Sequence, residues 1–193
     1  ISMSAYQYGL YTKNQGKISE AIKYLKQAAD SGVALASFEL AKIFQSDKNK
    51  LGVTAKYFQL AADGGVKEAA YQFALTMEMC KTPLVKMEEI AKYFKIAADA
   101  GIGGALYQMF LILHNGVGMQ RSEPDANRYL ELASAQNFFP ALYRSALVMQ
   151  TYDNVPEYRQ MSSDNFKKAA DSNNIDALYH YAIMKKTGAC CVK

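Results

Sequence analysis

Tryptophan is absent from these 193 residues, and cysteine, proline and histidine are scarce, at 3, 4 and 2 copies. The cysteines, Cys80, Cys190 and Cys191, are odd in number and irregular in spacing. That excludes the disulfide framework of a small secreted protein and points to the cytoplasm or another reducing compartment. The absence of any Asn-x-Ser/Thr sequon points the same way. His114 and His180 lie too far apart for a metal-ligand motif, so no metal site is expected. No Gly-rich phosphate loop, His-Glu-x-x-His or Gly-x-Ser-x-Gly occurs, so no catalytic residue and no cofactor are expected either. No apolar run reaches 18 residues, which excludes a helical membrane span. No signal-like start is present, and the first residue is Ile1 rather than Met. The chain reads as part of a longer one.

What the chain has is a repeat. The segments AADSG (28–32), AADGG (61–65), AADAG (97–101), ASAQN (133–137) and AADSN (169–173) start 33, 36, 36 and 36 residues apart. Eight residues after each start comes a second pattern. It reads ASFELAKIF from Ala36, AAYQFALTM from Ala69, ALYQMFLIL from Ala105, ALYRSALVM from Ala141 and ALYHYAIMK from Ala177. A degenerate copy, SAYQYGLYT, starts at Ser4. Ahead of each pentapeptide, Leu25, Phe58, Phe94, Leu130 or Phe166 stands three residues before its first Ala. Spacings of three and four make helical stripes. Each unit is therefore two helices, A and B. Helix B ends at Gly32, Gly65, Gly101, Asn137 or Asn173, residue types that tolerate a left-handed cap. Gly16, Gly52, Gly116 and Gly118 are assigned to the A–B loops.

The expected fold is all-α, a right-handed superhelical solenoid of antiparallel helix pairs. The units run 4–35, 36–68, 69–104, 105–140 and 141–176, with a partial unit over 177–193. The period is close to that of the tetratricopeptide repeat. The segment ALYQMFLILHNGVGMQRSEPDA (105–126) resembles the Sel-one-like repeat, a tetratricopeptide-related family, and the resemblance extends over essentially the whole chain. The helix A glycine of that family is kept only at Gly9. Four copies have Ala41, Ala74, Ala146 and Ala182, and one has Phe110.

With the helix A alanine as position zero, positions 0, 1, 4, 5 and 8 share the core face. Position 3 is polar in all six copies, from Gln7 to His180. Position 2 is aromatic throughout: Tyr6, Phe38, Tyr71, Tyr107, Tyr143 and Tyr179. Position 6 includes Leu75, Leu111 and Leu147. The resemblance implies that A helices line a concave groove, so these nine aromatic and leucine residues form the candidate protein-binding ladder. It also implies a non-catalytic scaffold or adaptor that holds a peptide or helix of another protein. Family members of this kind also keep the endoplasmic reticulum lumen open as a setting.

Two other readings compete. The array could be a structural or oligomerisation module, forming a homo-oligomer through exposed terminal helices. It could also bind RNA one base per repeat, but the apolar ladder argues against that code. The outer face of helix B carries Lys23, Lys26, Lys56, Lys92, Lys95, Arg128, Lys167 and Lys168. With a net charge of only +4 and no interleaved aromatics, this stripe reads as a solvated face and nucleic acid as a disfavoured partner.

Overall fold

The computed structural model describes residues 2–80, 87–152 and 154–188. Among them are eleven α-helices: α1 (Ser2–Asn14), α2 (Ile18–Asp30), α3 (Ala34–Phe44), α4 (Leu51–Asp63), α5 (Lys67–Cys80), α6 (Met87–Asp99), α7 (Gly103–Asn115), α8 (Glu123–Ala135), α9 (Phe139–Gln150), α10 (Pro156–Ala170) and α11 (Ile175–Lys186). Odd-numbered helices are the A helices and even-numbered ones the B helices. The chain divides into two compact units, Ile1–Ala100 and Gly101–Lys193. Within each, every helix packs on its neighbour in sequence.

The recurring pentapeptide is a helix-ending device. Gly32, Gly65, Gly101, Asn137 and Asn173 all have positive φ. At the first of these, Gly32 N–H donates to Ala29 O (2.9 Å) and Val33 N–H to Ala28 O (3.0 Å). This is the paired 5→2 and 6→1 closure of a Schellman cap, which satisfies the last carbonyls of helix B. The same pair recurs with Gly65 and Val66, and with Asn137 and Phe138. The first Ala of each pentapeptide lies beneath the cap and is buried: Ala28, Ala61, Ala97, Ala133 and Ala169.

The residue after the cap opens the next helix. Val33, Ile102, Phe138 and Asn174 are N-caps in extended conformation. Helix A therefore starts two residues before the alanine that marks the motif. Only Asn174 caps through its side chain, accepting from Ala177 N–H at 2.8 Å. The other starts lack a Ser, Thr, Asp or Asn signature. Gly52, assigned to a loop by sequence, belongs to the first turn of α4.

The core follows the repeat positions. The helix A alanines Ala36, Ala69, Ala105, Ala141 and Ala177 are fully buried. So are Leu25, Phe58, Phe94 and Phe166 on the B helices, with Leu130 nearly so. Burying one such side chain contributes about 2–3 kcal/mol. Alanines on one helix and large residues on the next let the backbones approach closely. At Gly9 the approach is close enough that a Cβ there would sit 2.8 Å from Leu25 Cγ. A buried hydroxyl adds a polar link, with Ser162 Oγ of α10 donating to Ala146 O of α9 at 2.9 Å.

Candidate functional site

The A helices of each unit are joined side by side through polar and aromatic groups at the position predicted to be polar. In the first unit Lys13 of α1 pairs with Glu39 of α3, which Lys42 also approaches at 3.5 Å. Gln45 Nε2 of α3 donates to Gln72 Oε1 of α5 at 3.1 Å, and Gln72 Nε2 donates to Glu68 Oε1 at 3.3 Å. In the second unit the Arg144 guanidinium of α9 lies 6.0 Å from the centre of the Phe110 ring on α7. His180 of α11 meets Tyr143 of α9 edge-on at 6.0 Å and stacks on Phe166 at 4.9 Å. Position 3 is thus a row of contacts between neighbouring A helices.

The position-2 rings lie one step nearer the core. Tyr6, Phe38, Tyr71, Tyr107 and Tyr143 are half-buried. Phe38 packs on Phe58 of the next B helix (5.9 Å between centroids), Tyr71 on Phe94 (6.1 Å) and Tyr143 on Phe166 (5.9 Å). Tyr107 leans on Phe110 and Phe138, each at 5.7 Å. Burial holds the Tyr71 and Tyr107 hydroxyls above the usual phenol range. Leu75, Leu111 and Leu147 are half-buried as well. Each ring or chain therefore shows one edge on the A-helix face and keeps the other in the core. Tyr179 differs at 65 % exposure, and Leu178 beside it is 56 % exposed, although its counterparts Leu106 and Leu142 are buried. Leu142 of α9 packs in one cluster with Phe166 and Ala169 of the B helix that follows. No B helix follows α11 among the described residues.

The α7–α8 turn carries the densest ionic cluster. Arg121 binds Glu123 Oε1 through Nη2 (2.6 Å) and Nε (3.1 Å), and His114 Nδ1 lies 3.0 Å from Glu123 Oε2. Arg121, followed by His114, holds the Glu123 carboxyl below the usual carboxylate range. This arrangement fastens the turn after the left-handed Gly116 (φ 69°). Lys23, Lys26, Lys56, Lys92, Lys95, Arg128, Lys167 and Lys168 of the B helices are all exposed, and Lys95 pairs with Asp99 at 2.9 Å.

No group of three or more His, Cys, Asp or Glu among the described residues could hold a metal ion. No helix among them is long and apolar enough to cross a membrane. Cys80 is a free, half-buried thiol at the end of α5, and Cys190 and Cys191 lie outside the described residues.

Helix pairs closed by Schellman caps, with small residues at the crossings, define an all-α protein of the helical-repeat class. Residues 2–33, 53–66 and 104–138 match the family model described as the Sel1 repeat. Over those segments the chain carries Sel1 repeats. Two similar solved structures are a protective antigen displaying this fold, c5321 of uropathogenic Escherichia coli, and a Sel1 repeat protein of Oxalobacter formigenes. The first has a TM-score of 0.79 at 16 % identity over 97 % of this chain. The second has 0.77 at 21 % over 95 %. The chain spans 42 % and 55 % of those two proteins. A Sel1 repeat protein of Klebsiella pneumoniae is similar over 95 % of this chain and 93 % of its own, with a TM-score of 0.52 at 14 % identity. These likenesses carry the fold. No curated protein matches the chain closely enough in sequence to transfer a role.

Proposed function

We propose that this chain is a non-catalytic scaffold that binds a peptide or helix of another protein along the A-helix face of its units. One observation carries the reading. On that face, half-buried rings and leucines are interleaved with polar groups that already bridge neighbouring A helices. Gln72 in the first unit and Arg144 in the second, both half-buried, have more N–H groups than these contacts use. Rings fixed by their core contacts lose little entropy on binding, which suits them as anchors. Scaffolding is also the general use of Sel1 repeats.

Display selection of short peptides against the folded chain tests this. The selected peptides should lose at least tenfold in affinity for a Gln72→Ala/Leu75→Ala variant. They should keep it for Lys56→Glu/Lys92→Glu on the outer B-helix face. The reverse pattern would move the binding surface to the B helices and overturn the proposal. The alternative, self-association, has the open Leu178–Tyr179 face of α11 behind it. A dimer in sedimentation that Leu178→Glu abolishes would favour that alternative.

A further inference from the structure

At position 4 of helix A the six copies hold Tyr8, Leu40, Phe73, Met109, Ser145 and Tyr181. Ser145 alone is small. The others carry a long side chain there, whereas Ser145 brings only a buried hydroxymethyl group. A cleft of about 360 Å³ lies there, bounded by α8, α9 and α10. Buried Leu130 and Ser145 and half-buried Met149 are among the residues that line it. Tyr152, after α9, and Tyr158, in the first turn of α10, form one wall. Their rings meet edge to face with centroids 6.1 Å apart, and both are exposed. Glu131 of α8 also lines the cleft and is the only formally charged residue among the described residues that do. It forms no ion pair among the described residues.

We propose that this cleft receives the cationic side chain, lysine or arginine, of a partner polypeptide. The chemistry of the walls selects that occupant. An alkyl stem needs apolar contact along its length, which Leu130 and Met149 supply. A cation is favoured near the electron-rich faces of tyrosine rings and beside an unpaired carboxylate. An anionic group would meet Glu131 with no compensating cation, and a neutral apolar chain would leave that carboxylate partly desolvated and unpaired. Tyr143, Arg144 and Leu147, which belong to the A-helix face, do not line the cleft, so this proposal and the scaffold face can fail independently.

The probe is a blocked pentapeptide with one lysine between glycines, titrated into the folded chain with isotope-labelled methionine methyls and tyrosine rings. The Met149 methyl and the Tyr152 and Tyr158 rings should shift and saturate. A norleucine analogue should bind at least tenfold more weakly. Glu131→Gln, an exposed change that leaves the packing untouched, should cost at least fivefold in affinity for the lysine peptide. Ser145→Met, which restores the side chain size found at Met109, should fill the cleft and abolish the shifts. Equal response to lysine and norleucine, or unchanged affinity in Glu131→Gln or in a folded Ser145→Met, would overturn the proposal.

Discussion

At the scale of the residue, the pentapeptide shows how much one φ angle decides. Gly65 ends α4 at φ 93°, and a Cβ built there would meet nothing within 4 Å. The obstacle to a larger residue is therefore backbone strain alone. Gly65→Ala should destabilise the chain by about 1–2 kcal/mol, the cost of forcing an L-residue with a Cβ into the left-handed region. Asn137 (φ 56°) and Asn173 (φ 66°) already bear part of that cost in the other unit. Asn137→Gly should stabilise, or at worst leave stability unchanged, because relief of strain is offset by the larger entropy of the unfolded glycine. Urea unfolding of the two variants checks both signs. A Gly65→Ala protein as stable as the parent would mean that the cap does not control the helix end. These caps were legible in sequence because glycine and asparagine have few other reasons to recur at a fixed offset. Ser145 was not legible as a pocket former. A serine on a core face passes as one more small residue, and only the residues that α8 and α10 bring beside it show a cleft.

At the scale of the element, the helices were readable but their starts were not. Helix ends are marked by a residue type, whereas here helix A begins directly from the cap of helix B. Val33, Ile102 and Phe138 do the work of an N-cap with backbone alone. The orientation of the position-2 rings was also only half legible. Periodicity places them at the edge of the core face, but their contact with Phe58, Phe94 and Phe166 depends on how closely the B helix approaches. The α7–α8 turn gives a prediction at this scale. Because Arg121 and His114 lower the Glu123 pKa, the cluster contributes fully above the ordinary Glu value of about 4.3 and is lost as pH falls through the depressed folded value. Between pH 5 and 3 the resonances of Arg121 and Gly116 should titrate together, reporting release of the turn. In Glu123→Gln that coupled titration should vanish while the helices persist. A turn whose resonances do not move over this range would show that Gly116 alone fixes it.

At the scale of the whole molecule, a helical repeat holds each element chiefly through its immediate neighbours, so protection should depend on how many neighbours an element has. In the second unit α8, α9 and α10 each have partners on both sides. Helix α11 has α10 on one side, and on the other it leaves Ile175, Leu178 and Tyr179 exposed at 80, 56 and 65 %. Its fastening to the unit is Ala177, Met184 and the ring stack of His180 on Phe166. Native-state hydrogen exchange should therefore rank α9 above α11, with α11 amides opening at least tenfold more readily through local unfolding that leaves α9 closed. A partner that covers Leu178 and Tyr179 would raise α11 protection towards that of α9. A partner held only in the cleft beneath Tyr152 and Tyr158 would protect α8 and α10 and leave α11 as it was. Uniform exchange across α8–α11 in the free chain would mean that the unit opens as one cooperative block, and the exposed face of α11 would then have no bearing on where this molecule is pliable.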